Sequence, residues 1–156
     1  ELQRSHGEEV AAETLTDGLR VLMDVGDHNC AAITEVDLAL LTIDDDPESA
    51  ERRLFTALKM SEAVGNLSTM ARSLEMFAKL AVRAGQLARA ASLFAAAEPV
   101  RAASGRLDDR NSSADRQPEF DLARDQLSPE SYQSAWDAGA GMTSAEAVEL
   151  ALAALR

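Results

Sequence analysis

Leu54-Phe55 returns as Leu93-Phe94, 39 residues along the chain, and its surroundings return with it. At that offset Gly26 falls on Gly65, Ala32 on Ala71 and Leu38 on Phe77. Leu41 likewise falls on Leu80, Ile43 on Val82 and Ala57 on Ala96. A fixed period of this size marks an array of one supersecondary unit, each copy burying its apolar side against its neighbours. Such arrays present long faces and few enclosed clefts. The expectation is a chain that binds, couples or scaffolds.

Helical spacing fills the period. Val10, Ala11, Leu15, Leu19 and Leu22 predict a helix over about 8–25, closed by Gly26-Asp27. Ile33, Val36, Leu40 and Leu41 predict a second over about 29–43. Asp46 before Pro47 reads as an N-cap followed by a first-position proline, opening a third helix with Leu54, Phe55, Leu58 and Val64. Met70, Leu74, Phe77, Ala78 and Ala81 place a fourth over about 67–84. Ala90, Leu93, Phe94 and Ala97 place a fifth over about 87–103, which Pro99 is expected to kink or shorten. Aromatic residues are only 4% of the chain and alanine leads the apolar set, which favours close-packed helices over sheets.

Periodicity then lapses. Residues 106–118 form a charge-mixed polar stretch expected to be a loop, dividing helical repeats at 1–105 from capping helices at 119–156. Three short helices are expected there, over about 119–127, after Ser128-Pro129, and after Thr143-Ser144-Ala145-Glu146, a capping-box pattern.

The net charge is −12, with Arg52-Arg53 as the only basic doublet. That field repels phosphate backbones and anionic lipid, so neither direct nucleic-acid binding nor a membrane partner is expected. Cys30 has no partner for an internal disulfide, which fits a reducing cytoplasm. No signal peptide and no apolar run of membrane-spanning length is legible. Asp24, Asp27, His28 and Cys30 lack metal-site spacing, and His6 is distant. Asp44-Asp45-Asp46 lacks the glycine and closing glutamate of a calcium loop. Gly139-Ala140-Gly141 lacks the Lys-Ser/Thr of a phosphate loop. No nucleophile elbow is present. Catalytic, cofactor-binding and metal-ligating residues are therefore expected to be absent, and the chain is not expected to be an enzyme.

Ala78, Gly85, Ala90, Phe94 and Ala97, at successive spacings of seven, five, four and three, resemble the tetratricopeptide (TPR) pattern. The preceding copy keeps Ala39 and Phe55 but has Asp46, Glu51 and Leu58 at the other positions. The period exceeds the roughly 34 residues of an ordinary tetratricopeptide repeat. In this it resembles the TPR-like repeats of the LuxR-type large ATP-binding regulators, the MalT group. The tail resembles the ends of such regulators, which join a STAND-class NTPase to a helical array. It does so through Ala91-Ser92-Leu93-Phe94-Ala95-Ala96-Ala97-Glu98, Trp136-Asp137-Ala138-Gly139, Met142-Thr143 and Ala147-Val148-Glu149-Leu150-Ala151-Leu152.

The resemblance implies an all-α, TPR-like antiparallel hairpin solenoid of about two and a half hairpins. Its tail would be a C-terminal helical cap, with Tyr132 and Trp136 covering the last hairpin. The first helix lacks a partner, so the chain is expected to be a fragment. The bared face could pair two copies. The expected role is a non-catalytic regulatory module of a multidomain bacterial signalling or transcriptional regulator. It would bind a protein or peptide, or another domain of the parent chain. Candidate contact positions are Asn29, Thr34 and Asp37 on one first helix, and Ser68, Arg72, Glu75 and Lys79 on the next. The competing expectation is a purely structural oligomerisation domain.

Overall fold

A computed structural model describes residues 2–105 and 110–153, with side chains from 7–105 and 117–153. Among the described residues it is all helical, with no strand. The helices are α1 (Leu2–Asp24), α2 (His28–Thr42), α3 (Pro47–Val64), α4 (Leu67–Arg83), α5 (Leu87–Ala103), α6 (Arg110–Gln126), α7 (Pro129–Ala140) and α8 (Ser144–Leu152).

The punctuation follows from local chemistry. Gly26 and Gly65 have φ of 75° and 71°, left-handed backbone that glycine enters without steric cost. Each is followed at once by an N-cap. Asp27 accepts from the Cys30 amide at 3.0 Å and Asn66 from the Thr69 amide at 3.0 Å. Asp46 caps α3 through the Ser49 amide at 2.9 Å, with Pro47 at the first helical position. At α8 the capping box closes both ways. Thr143 accepts from the Glu146 amide at 3.3 Å, and its own amide donates to the Glu146 carboxylate at 2.7 Å.

Short connections turn each helix back on its predecessor, so α2 packs with α3 and α4 with α5. Helices α2 and α4 run side by side in one direction and are tied at both ends. Asn66 donates its amide to Asn29 at 2.7 Å near their starts. Arg83 donates to the Ile43 carbonyl at 2.8 Å near their finishes and pairs with Asp44. Most repeating positions are core. Ala32 and Ala71, Leu38 and Phe77, Ile43 and Val82, Leu54 and Leu93, and Ala57 and Ala96 are all buried. Each large aliphatic among them contributes about 1.5–3 kcal/mol on leaving water.

The arrangement changes after α5. That helix packs against α4, α6, α7 and α8, which explains its apolar surface all round. It runs through Pro99 to Ala103, so the expected shortening does not occur; Pro99 is exposed. The expected loop over 106–118 is corrected in part. Helix α6 begins at Arg110, and residues 106–109 lie outside the described ones. Apolar periodicity marked only its second half, expected over about 119–127, where Phe120 and Ala123 meet the core.

Helix α7 crosses α5 closely. A Cβ at Gly139 would stand 2.1 Å from the Ser92 carbonyl oxygen, so only glycine fits. Alongside, the Ser92 hydroxyl donates to the Ala135 carbonyl at 2.8 Å. Arg89 reaches from α5 to the end of α8, donating to the Leu150 and Ala151 carbonyls at 3.0 and 2.9 Å. Trp136, Met142, Leu150 and Leu152 pack on the core, so the tail covers α5. Phe94, Phe120, Trp136 and Tyr132 form one aromatic cluster, with Phe120 edge-on to both Phe94 and Trp136.

Candidate interaction surface

The seven candidate positions divide by what the structure does with each. Asn29 and Ser68 line one cavity of about 360 Å³, where the starts of α2 and α4 meet the end of α5. Ile33, Leu67 and Ala103 give it apolar wall; Asn66 and Ser104 give it polar rim. Deeper along the same helices, Asp37 and Arg72 form an ion pair at 2.7 Å, with side chains 37% and 36% exposed. These four positions form one continuous strip across α2 and α4.

Thr34, the third α2 position, is half-buried and bonds back to its own helix. Its hydroxyl donates to the Cys30 carbonyl one turn back, at 3.0 Å. Glu75 is buried at 5% exposure and is gripped by the Arg101 guanidinium, whose Nε donates at 3.1 Å and whose Nη2 donates to the other oxygen. Lys79 pairs with Glu119 of α6 at 3.1 Å, both side chains under one-fifth exposed. The upper half of the α4 surface is thus occupied by the chain itself.

The repeat register carries a signal for Glu75 that helical spacing alone missed. Its counterpart 39 residues earlier is Val36, which is fully buried. A charge on a core position needs a partner in reach. Arg101 supplies it across the α4–α5 pair, as Arg53 does for Glu35 across α2–α3 at 2.9 Å. Asn66 and Ser104 also belong to the cavity wall and were not singled out by sequence. Asn66 was legible only as part of the Gly65-Asn66 stop after the third helix.

Among the described residues, the side-chain atoms Arg53 Nε and Glu119 Oε2 are buried without a hydrogen-bond partner. An unmet buried carboxylate oxygen costs about 1–3 kcal/mol. The α6 seat on α4 is therefore an imperfect one.

At the α2 start, hydrogen bonding from the Cys30 amide holds the Asp27 carboxyl below its usual range. A separate side-chain hydrogen bond to Asp27, together with the Asp27 charge, pushes the Cys30 thiol up. Asp27 is thus committed to capping. Among the described residues, no three His, Cys, Asp or Glu side chains are placed to hold a metal ion. Nor is any described helix long and apolar enough to cross a membrane.

The geometry defines the chain as an all-helical protein with paired helices and a polar strip along two aligned first helices. Compared with known proteins, it matches no family model, no curated protein and no solved structure.

Proposed function

We propose that the chain is a non-catalytic interaction module, a TPR-like helical array that binds a protein or peptide segment along α2 and α4. The observation that carries this reading is the parallel alignment of those helices, tied by Asn66–Asn29 and Arg83–Ile43. That alignment creates a strip with Asn29, Ser68 and the Asp37–Arg72 pair on one side of the molecule. Amides, hydroxyls and a half-exposed ion pair suit backbone and polar side chains of an extended or helical segment. The tail motifs through Trp136 support placing the module among large bacterial signalling regulators of the LuxR and STAND type. A partner inside the same parent chain would let binding at the strip act as a coupling free energy between domains.

Selection of a displayed random-peptide library on the intact chain tests the reading. Enriched peptides are expected to lose about tenfold or more in affinity on Arg72→Ala or Asn29→Asp, as truncation at an interface anchor does. Peptides that ignore both substitutions, or no enrichment at all, would sink it.

A second reading has its own observation. Val10, Val21 and Val25 of the first helix and its exit are 48%, 61% and 71% exposed. Exposed aliphatics on a helix covered on one side only favour self-association through that face. Sedimentation of the chain and of Val21→Glu checks it. A monomer at all concentrations rejects the oligomerisation reading.

A further inference from the structure

The best clue to what the α4 surface accepts is the segment already lying on it. The second half of α6, residues 117–126, places Glu119 against Lys79 at 3.1 Å and Phe120 edge-on to Phe94, with ring centres 5.6 Å apart. Consecutive residues thus read a cation on α4 and an aromatic on α5. The rest of the segment is weakly held. Leu122 is 42% exposed, and Ala123 is the one fully buried side chain of 117–126. Its contact with α7, its neighbour in sequence, runs through the Phe120 ring, which meets Tyr132 and Trp136 edge-on. The second Glu119 oxygen is buried with no donor. A segment that satisfied both oxygens would fit the seat better than α6 does.

We infer that this half of α6 is an internal stand-in for a partner segment, and that the partner is a helix presenting a carboxylate followed by an aromatic residue. Binding requires α6 to lift from Lys79 and Phe94, so the affinity measured on the closed chain is reduced by the fraction that is open. The inference rests on the interaction reading above and adds its regulation and the chemistry of its ligand. The surface is distinct from the Asn29–Arg72 strip but continuous with it along α4, so one partner helix could span both.

Trp136 reports on the seat from within, its ring 5.5 Å from that of Phe120. The experiment uses the full chain, its Glu119→Lys variant and the charge swap Lys79→Glu/Glu119→Lys. The probe is a labelled synthetic peptide with the sequence of residues 117–127. Amide exchange over 117–126 and Trp136 emission read the opening; anisotropy reads peptide binding.

In Glu119→Lys, exchange over 117–126 is expected to speed up by about tenfold or more. Trp136 emission should shift, and the peptide should bind at least about tenfold tighter than to the unaltered chain. The charge swap is expected to reclose. Unchanged exchange in Glu119→Lys overturns the stand-in, as does an opened α6 seat that the peptide does not enter. Equal peptide binding by the closed and open chains also overturns it, while leaving the interaction reading standing. Should Glu119→Lys lose its helical circular dichroism, Phe120→Ala opens the seat without a charge change and carries the same expectations.

Discussion

Leu54 in α3 and Leu93 in α5 are equally inaccessible, but the phenylalanine after each is not. Phe94 is 2% exposed and Phe55 is 41% exposed. The same divergence runs along the helices. Ala91, Phe94 and Ala95 are buried where their counterparts Arg52, Phe55 and Thr56 are exposed or half-exposed. The two helix pairs share an inner pattern and differ in what lies outside it. The inner positions, Leu54 with Ala57 and Leu93 with Ala96, are set by the partner helix within each pair. The outer ones are set by α6 and α7, which pack on α5 rather than on α3. A repeat in sequence therefore guarantees a repeated core and leaves the outer face free to diverge.

The sharpest break between the pairs is expected at these phenylalanines. Phe94→Ala empties a site closed by Phe120 and should cost about 3–5 kcal/mol in urea unfolding. Phe55→Ala removes a ring already half in water and should cost under about 1 kcal/mol. Comparable losses would mean that α3 is covered in solution by something absent from the folded chain described here.

The ion pairs of the two helix pairs should rank the same way. Arg101 serves a carboxylate whose side chain is 6% exposed; Arg53 serves one 12% exposed, from a guanidinium that is itself 28% exposed. Arg101→Ala is expected to cost about 3 kcal/mol, and Arg53→Ala about 1–2 kcal/mol. Thermal unfolding of the two variants checks the order, and a larger loss at Arg53 would reverse the comparison. At the outer face of α5, Gly139→Ala should cost about 2 kcal/mol, because backbone meets backbone at Ser92 and neither can rotate away. Gly141→Ala, whose added Cβ would meet its nearest neighbour at 3.4 Å, is the matched control and should be nearly neutral.

Much of this contrast could be read from residues, and the unread part has a physical cause. Gly26-Asp27 marked the end of α1 because left-handed backbone at a helix end is a local requirement. Asp46-Pro47, Ser128-Pro129 and the Thr143 box marked α3, α7 and α8 because an N-cap is a local requirement too. The first half of α6 escaped because residues 110–118 carry no apolar periodicity; the second half, where Phe120 and Ala123 meet partners on other helices, was expected as a helix over about 119–127. Among the candidate contact residues, Asn29, Asp37, Ser68 and Arg72 share the polar strip, while Glu75 and Lys79 are taken by Arg101 and Glu119. Helical spacing places a residue on a face; it does not say whether another helix lies on that face. The 39-residue register did say so for Glu75, through Val36.

The smallest expected effect separates the two turns that the repeat makes most alike. Asp27 and Asn66 occupy equivalent N-caps, each accepting from the backbone amide three residues on, and only Asp27 can be protonated. Its folded-state pKa is lowered, first by the Cys30 amide. A lowered pKa means stabilisation that is complete above the unfolded value, about 3.9 for aspartate, and lost as pH falls through the folded one. Asn66→Ala should cost about 1 kcal/mol, the same at every pH. Asp27→Asn keeps an acceptor at the cap and removes the titration. Relative to the unaltered chain, its melting temperature should therefore rise as pH drops below the ordinary aspartate range. Asn66→Asp should acquire the opposite dependence, gaining acid sensitivity at α4. Because every other carboxylate in this acidic chain titrates too, the difference between each variant and the parent is the quantity to follow from pH 7 downward. A flat difference for Asp27→Asn would mean that the carboxylate is not held by the Cys30 amide, and that the two turns are alike in chemistry as well as in shape.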